Sequence, residues 1–453
     1  MCNLKTLPLT TSVASSMFGV SRSLCGSFQI GMTLLLAAVL LPTGSLRADE
    51  LVSLSGETMG TTYNIKVVLG GKVSADKVQQ AIDDRLTEIN RLMSTWDPES
   101  ELSRFNQYRE TDWFPVSVET AKVVRSANAI SKQSGGAFDI TVMPLVNLWH
   151  FGPEGRDRSE LPSDAAIQEA LSQVGYQFLH VQDEPPALRK DKPELTVDLS
   201  AIAKGYGVDV IAELLERFEL ESYLVEIGGE VRSEGLKPNG EPFVVGIEKP
   251  TPFVRAIQRT IPLKNLAMAT SGDYRNFFEI EGQRYSHTID PRTGRPVEHP
   301  PASVSVLATT CMEADALATT LMVLGPDEGY NWASEHGYAA VFLNNSGERG
   351  AEATGMIVER ETPALSKILP TPVKPSSAMT TWLISLAVFM GFMALMSVGV
   401  IFSNRRIQGS CGGLAGLKDE HGQTMCQACT TPREDCEKAV LEAMQSESSS
   451  DKT

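Results

Sequence analysis

The chain has 453 residues, a length that allows two or three domains of ordinary size. Its 40 Lys and Arg residues against 56 Asp and Glu residues give a formal net charge of −16, which argues against a nucleic-acid-binding protein with a basic face. With 42% hydrophobic and 21% charged residues, wholesale disorder is excluded. Only Cys311 of the seven cysteines lies between residues 49 and 400, which excludes a disulfide scaffold there.

The first apolar segment, Ile30–Leu41, follows a weakly basic stretch that carries Lys5 and Arg22. Small residues after it offer a cleavage site following Ala48, an order that is typical of an export signal. We therefore expect residues 1–48 to be a signal peptide, with an uncleaved N-terminal anchor as the alternative. Both interpretations put the next part of the chain outside the cytoplasm.

A second apolar segment, Trp382–Phe402, has 21 residues and no charge. At 1.5 Å per residue it reaches about 30 Å, enough for a transmembrane helix, which we predict at 379–403. A buried core helix is the alternative, but such a helix rarely lacks any polar stripe over this length. Arg405 and Arg406 follow directly, and positive charge prefers the cytoplasmic side of a membrane.

These segments predict a membrane-anchored protein with a large domain outside the cytoplasm and a short tail inside it. Proline and serine residues between the large domain and the membrane helix indicate a stiff linker. The predicted parts are the signal or anchor at 1–48, the outer domain at 49–360, the linker at 361–378, the transmembrane helix at 379–403 and the cysteine-rich tail at 404–453.

The sequence of the outer domain predicts an α+β fold. Apolar residues at helical spacing from Asp76 to Met93 and from Glu119 to Gln133 predict two helices. Helices interrupt the strand-like runs irregularly, so we expect a mixed sheet covered by helices and not a doubly wound fold. The strand-like runs are Leu195–Leu199, Tyr223–Ile227, Phe243–Ile247, Ile257–Leu263, Phe277–Ile280, Ser303–Leu307 and Ala339–Leu343.

The predicted helix Glu313–Met322 carries a candidate metal site. Asp315 and Thr319 are four residues apart, so their side chains lie on one face. A carboxylate and a hydroxyl at that spacing can hold a hard cation such as Mg²⁺, with substrate phosphates completing the coordination shell. The alternative is a polar pair on a solvated face.

No Walker A loop or complete dinucleotide-binding glycine motif is present.

Four further segments concentrate Gly, Asp, Thr, Ser and His beside apolar strands, where loops often carry function. Each can instead supply caps and turns, and Asp198 in particular is placed to cap a helix that starts near Ala201. The segments are Thr58–Tyr63, Gly136–Thr141, Val197–Asp209, and Thr270–Tyr274 continued by Tyr285–Gly294.

Taken together, these motifs resemble the FAD:protein FMN transferase (ApbE) family, in order from about Thr58 to Leu343. The resemblance implies an enzyme that cleaves the FAD pyrophosphate with Mg²⁺, transfers FMN to a Thr or Ser hydroxyl of a target protein and releases AMP. The motifs that carry it are Met59–Tyr63, Gly136–Asp139, Asp198–Tyr206, Glu226–Glu230, Thr270–Tyr274, Ser286–Gly294 and Ala314–Thr319.

The resemblance also implies roles for individual residues. The Mg²⁺ ligands would be the backbone carbonyl of Ala201 with Asp315 and Thr319, and His287 would be the catalytic base. The flavin contacts would be Met59, Trp96, Ala137, Phe138, Asp139, Asp198, Lys204 and Ile289. Two other functions stay open: a periplasmic flavin-binding module without transfer activity, which needs no base, and a Mg²⁺-dependent FAD pyrophosphatase that releases FMN and AMP.

The start of the tail, Ile401–Leu414, is similar to the NqrM family, which assists maturation of the Na⁺-translocating NADH:quinone oxidoreductase. The resemblance implies that the partners are flavoprotein subunits of that or a related complex, in the bacterial inner membrane, with the catalytic domain in the periplasm and the tail in the cytoplasm. It also implies iron handling. Thiolates on the reducing side can bind iron or zinc, and free thiols on a flexible tail are the alternative. The four candidate ligands are Cys411, Cys426, Cys429 and Cys436.

Overall fold

The structure is a computed structural model, and it describes residues 50–152, 160–250, 256–273, 277–299, 302–345, 356–369, 382 and 385–391. The predicted signal or anchor at 1–48 and the tail at 404–453 lie outside the described residues. The chain divides into two compact units, residues 1–369 and 370–453.

The first unit contains eight described helices and a 3₁₀ turn at Tyr176–Phe178. Both helices predicted from apolar periodicity are confirmed, as α1 and α3. The helices are α1 (Ala75–Met93), α2 (Glu101–Gln107), α3 (Val118–Gln133), α4 (Met143–Leu148), α5 (Asp164–Gln173), α6 (Ala203–Arg217), α7 (Cys311–His336) and α8 (Leu365–Ile368).

The described strands number seventeen. They are β1 (Leu51–Thr58), β2 (Thr61–Val68), β3 (Phe114–Pro115), β4 (Leu179–Asp183), β5 (Pro186–Lys190), β6 (Tyr223–Ile227), β7 (Glu230–Glu234), β8 (Phe243–Glu248), β9 (Ile257–Leu263), β10 (Leu266–Gly272), β11 (Phe277–Ile280), β12 (Gln283–Ser286), β13 (Ile289–Asp290), β14 (Arg295–Pro296), β15 (Ala302–Ala308), β16 (Ala339–Asn345) and β17 (Ile357–Glu361).

Eight of these strands form the main sheet, in the order β1-β2-β6-β7-β10-β15-β16-β17. Helix α6 packs on β6 and β7, α7 packs on β10 and β15, and the two helices pack against each other. The predicted α+β class, with helices covering a sheet, is confirmed. Where we expected a mixed sheet, the strand pairs that the structure describes are all antiparallel.

The strand predicted at Leu195–Leu199 is wrong, although the reason for predicting it is visible. Leu195, Val197 and Leu199 are fully buried, as their alternation indicates. Their backbone pairs with none of the described strands, however. The side-chain amide of Asn106 instead forms two hydrogen bonds with the backbone of Val197, at 2.7 and 2.8 Å. The segment is therefore an extended loop that leads into α6. Each of the other six predicted strands overlaps an observed strand.

Asp209 of α6 fixes the start of α7. Its buried carboxylate accepts hydrogen bonds from the backbone N–H groups of Cys311 and Met312, both at 2.9 Å, and pairs with Arg232 of β7 at 3.0 Å. Burial raises the pKa of Asp209, and these hydrogen bonds and the arginine oppose that rise. Because a helix N-terminus carries unpaired N–H groups and partial positive charge, the carboxylate holds α7 against α6 at this point.

Among the described residues, no helix is both long and apolar enough to cross a membrane. Of the transmembrane helix predicted at 379–403, the structure describes only Trp382 and residues 385–391, which are helical and exposed. The rest of that segment lies outside the described residues, so the transmembrane helix stays a prediction.

Candidate active site

One cavity of about 460 Å³ collects the predicted site residues of the outer domain, with Met59 as the exception. Its volume lies within the usual range for small-molecule sites, roughly 300–1,000 Å³. Residues more than 200 positions apart in the chain meet here, from the loop after α1 to the first turns of α7. The predicted residues in its lining are Trp96, Ala137, Phe138, Asp139, Asp198, Ala201, Lys204, His287, Ile289, Asp315 and Thr319.

Met59 lies in the turn between β1 and β2 with a positive φ of 50°. Its side chain packs on α6, where a Cβ added to Gly207 would be 3.0 Å from the Met59 Cε. The residue is partly buried against the main hydrophobic core and does not line the cavity. Its contact with flavin therefore stays a prediction from the resemblance.

Lys204, in the first turn of α6, lies between two buried carboxylates. Its Nζ is 3.1 Å from Oε1 of Glu230 and 3.5 Å from Oδ1 of Asp315. Burial lowers the pKa of Lys204, but the attraction of Asp315 and Glu230 outweighs it, so the pKa is raised overall and the ammonium stays charged. The cavity therefore has a fixed positive charge next to its acidic end.

Glu230, the first residue of β7, is only 4% exposed. Burial raises the pKa of its carboxyl to about 7, and Lys204 opposes that rise. One of its oxygens, Oε2, is buried and has no hydrogen-bond partner among the described residues. The motif Glu226–Glu230 is part of the family resemblance, but the sequence analysis assigns Glu230 no role. Both β6 and β7 carry charged residues, so no apolar pattern indicates that Glu230 is buried.

Asp315 uses its two carboxylate oxygens differently. Its Oδ1 faces Lys204, and its Oδ2 accepts a hydrogen bond from the backbone N–H of Gly205, at 2.9 Å. A Cβ at Gly205 would lie 2.3 Å from the carbonyl oxygen of Cys311 and 2.8 Å from the Cβ of Asp315. Only glycine therefore allows α6 and α7 to approach closely enough for this hydrogen bond.

The residues predicted to hold Mg²⁺ fit that ion. Asp315, Thr319 and Ala201 line the same cavity, and their donor atoms are oxygens, which Mg²⁺ prefers. Within the described ranges, no group of three or more His, Cys, Asp or Glu side chains is placed to bind a metal. The predicted set has one carboxylate, so substrate phosphates would have to supply further ligands to a Mg²⁺ ion held there.

The carboxylate of Asp139 links two segments of the cavity wall through hydrogen bonds. It accepts hydrogen bonds from the backbone N–H and the hydroxyl of Thr141, at 2.8 and 2.7 Å, and from the backbone N–H of Tyr176 at 2.8 Å. Burial raises its pKa, and these hydrogen bonds oppose the rise. Asp139 therefore ties the segment that contributes Ala137 and Phe138 to the cavity onto the 3₁₀ turn.

Asp198 does not cap α6, so that alternative is wrong. Helix α6 starts after Ile202 and has no side-chain cap. The Asp198 carboxylate instead accepts hydrogen bonds from the backbone N–H and hydroxyl of Ser200, at 2.8 and 2.5 Å, and its own N–H donates to Ile140 at 2.7 Å. The resulting turn presents Asp198 and Ala201 to the cavity.

His287 lies in the connection between β12 and β13 and lines the cavity. Its ring stands edge-on to Phe151, with ring centroids 6.2 Å apart, and Phe151 lines the same cavity. The ring of Phe151 therefore forms one side of the space around the imidazole, while Lys204 faces the carboxylates of Glu230 and Asp315. No sequence motif indicates a role for Phe151, because an aromatic residue before a glycine occurs in many kinds of loop.

Two family models and several curated proteins match this chain. Residues 59–342 match the model of the ApbE family, and residues 400–449 match the model described as (Na⁺)-NQR maturation NqrM. The curated FAD:protein FMN transferase of Vibrio cholerae is 49% identical over 295 residues, covering 65% of this chain and 87% of that protein. The one from Haemophilus influenzae is 42% identical over 329 residues, covering 72% and 93%.

Solved structures agree with these sequence matches. The flavin transferase ApbE from Vibrio cholerae aligns with a TM-score of 0.64 at 43% identity, covering 71% of this chain and 99% of that one. The apo form of the Pseudomonas stutzeri flavinyl transferase ApbE aligns with a TM-score of 0.65 at 37% identity, covering 72% and 98%.

The hydrogen bonds of the two aspartates generate a prediction about stability. We expect Asp139→Asn to lower the free energy of unfolding by roughly 1–3 kcal/mol, since the amide NH₂ group must face a buried N–H donor. Asp198→Asn, whose carboxylate is only partly buried, is the matched control and should cost less than about 1 kcal/mol. Urea denaturation of both variants without FAD measures the difference, and equal losses would contradict the structural role of Asp139.

Proposed function

This chain belongs to the ApbE family of FAD:protein FMN transferases, and we propose that it transfers FMN from FAD to a Thr or Ser hydroxyl of a target protein with Mg²⁺, releasing AMP. The observation that best supports the proposal is the shared cavity. A candidate base, a fixed ammonium and a set of oxygen ligands line one space, and together they suit nucleophilic attack on a pyrophosphate.

In the proposed reaction, the acceptor hydroxyl attacks the FMN phosphorus of FAD. A new bond forms between the hydroxyl oxygen and that phosphorus, the bond from the phosphorus to the bridging pyrophosphate oxygen breaks, and AMP leaves. His287 takes the proton of the hydroxyl, which is a weak nucleophile without a base. Lys204 places positive charge beside the phosphates. Asp315, Thr319 and the Ala201 carbonyl would hold Mg²⁺, which when bound neutralises charge on the departing AMP.

One assay separates this function from the two alternatives. The full chain in detergent is incubated with FAD, Mg²⁺ and a peptide carrying an acceptor threonine, and the peptide mass and free AMP are measured. A peptide heavier by one FMN together with stoichiometric AMP supports transfer. AMP and free FMN with an unchanged peptide would indicate the pyrophosphatase, and FAD binding without either product would indicate a flavin-binding module.

The tail suggests the client of the enzyme. The match of residues 400–449 to the NqrM model supports a role in maturing the Na⁺-translocating NADH:quinone oxidoreductase or a related complex. In this proposal the chain sits in the bacterial inner membrane, the catalytic domain flavinylates periplasmic parts of the complex, and the cytoplasmic tail assists iron delivery. A single chain would then serve one client from both sides of the membrane.

The metal assignment predicts that Asp315→Ala abolishes FMN transfer at any accessible Mg²⁺ concentration. A hydroxyl and one carbonyl cannot hold Mg²⁺ against water without the carboxylate charge. Glu313→Ala, on the same helix but outside the cavity lining, is the control and should keep full activity. Mass spectrometry of the acceptor peptide gives the rates, and undiminished transfer by Asp315→Ala would refute the assignment.

The base assignment predicts that His287→Asn lowers the rate of transfer by roughly 10²–10⁴-fold, the usual contribution of general base catalysis. FAD affinity should change little, because asparagine keeps the size and polarity of the side chain. His180→Asn is the control, since His180, on β4, pairs with Asp191 and lies outside the cavity lining. A loss confined to FAD affinity would show that His287 binds substrate and does not act as the base.

The iron-binding role proposed for the tail predicts that FMN transfer and iron delivery can be separated by mutation. Changing Cys426 and Cys429 together to Ser should leave FMN transfer intact, because the catalytic domain contributes all of the proposed transfer residues. Iron loading of the client complex should fall, since four sulfur ligands can complete one metal centre and two cannot. Metal analysis of the anaerobically purified chain and flavinylation by the same variant test both halves. A wild-type tail without metal, or full client assembly by the variant, would contradict the iron role.

A further inference from the structure

The ammonium of Lys204 lies beside the carboxylate of Asp315, which is the proposed metal ligand. Its Nζ is 3.5 Å from one oxygen of Asp315, which is itself only 4% exposed. The other Asp315 oxygen is held by the N–H of Gly205. Two cations that share one buried carboxylate repel each other strongly, because the surrounding protein screens charge less than water does. An ion that binds Asp315 must therefore weaken or displace the contact with Lys204.

Glu230 offers the ammonium another partner. Its Oε1 is already 3.1 Å from the Lys204 Nζ. Its Oε2 is buried and has no hydrogen-bond partner among the described residues. An unpaired buried carboxylate oxygen is unfavourable, and such oxygens in native proteins call for an explanation. A small movement of the Lys204 side chain away from Asp315 and toward this oxygen would satisfy it.

We propose that Lys204 is a resident cation that competes with Mg²⁺ for Asp315, and that Glu230 is a positioning residue that takes up the ammonium when the metal binds. The inference rests on the Mg²⁺ site of the proposed function. Without metal, the positive charge of Lys204 offsets the negative charge of the two buried carboxylates that it contacts. With metal, Glu230 keeps the ammonium in the cavity, where the pyrophosphate of FAD needs it.

The proposal makes the effect of Glu230 on metal binding depend on Lys204. With Glu230→Gln, the ammonium has Asp315 as its remaining anionic partner, so the metal affinity should fall roughly tenfold, a usual size for coupling between charges in contact. With Lys204→Met, the competitor is gone and the affinity should rise. In the Lys204→Met background, adding Glu230→Gln should then change the affinity by only about twofold.

A double-mutant cycle with Mn²⁺ as the probe tests this directly. The full chain, in detergent and freed of FAD, is titrated with Mn²⁺ at pH 8, and free Mn²⁺ is measured by electron paramagnetic resonance. The relevant site is the one that Asp315→Ala removes and Mg²⁺ displaces. Glu213→Gln is the matched control, because Glu213 forms an exposed pair with Arg217 on the same helix as Lys204.

The outcomes distinguish the inference from the function on which it rests. Equal weakening by Glu230→Gln in both backgrounds would mean that Glu230 acts on the metal by its own charge, and would overturn the inference while FMN transfer by the wild type still stands. If Glu230→Gln does not fold, as judged by its thermal unfolding midpoint, Lys204→Met alone decides: tighter Mn²⁺ binding supports the competition, and unchanged or weaker binding overturns it. A wild type without an Asp315-dependent site would overturn the metal assignment as well.

Discussion

The backbone N–H of Gly205 donates a hydrogen bond to the carboxylate of Asp315, and this contact between α6 and α7 sets the geometry of the cavity. It exists because residue 205 has no side chain, so that the backbone of one helix can lie against the first turn of the other. Four residues further along α6, Asp209 holds the start of α7 through two backbone N–H groups. Together the two aspartates hold the first turn of α7 beside Lys204 of α6.

The charges of the cavity follow from that packing. A buried carboxylate is costly unless it is paired, and here two carboxylates share one ammonium. When Glu230 is ionised, the set of Lys204, Glu230 and Asp315 carries one net negative charge, which favours a further cation. In the proposed reaction, such a cation would reduce the repulsion between the FAD pyrophosphate and the two acidic side chains.

The polar residues around the cavity divide into those that face the substrate space and those that build the wall. Asp139 belongs to the wall, since Thr141 and Tyr176 occupy its carboxylate. Asp198 shapes the turn before α6 through Ser200 while its own carboxylate stays partly accessible. The two aspartates therefore have different structural roles, which their burial and the identity of their hydrogen-bond donors distinguish.

Much of this protein could be read from its residues alone. Apolar periodicity predicted α1 and α3, six of the seven strand-like runs correspond to observed strands, and the ordered motifs identified the family, because each of these signals is local in the chain. The meeting of Trp96, Lys204, His287 and Asp315 in one cavity was implied only by resemblance. The loop at Leu195–Leu199 was mistaken for a strand because burial alternates there too, while the partner of its backbone is Asn106, about ninety residues away. The role of Glu230 was likewise decided by tertiary structure, since burial and a shared ammonium are properties of how distant segments pack and leave no pattern in the sequence.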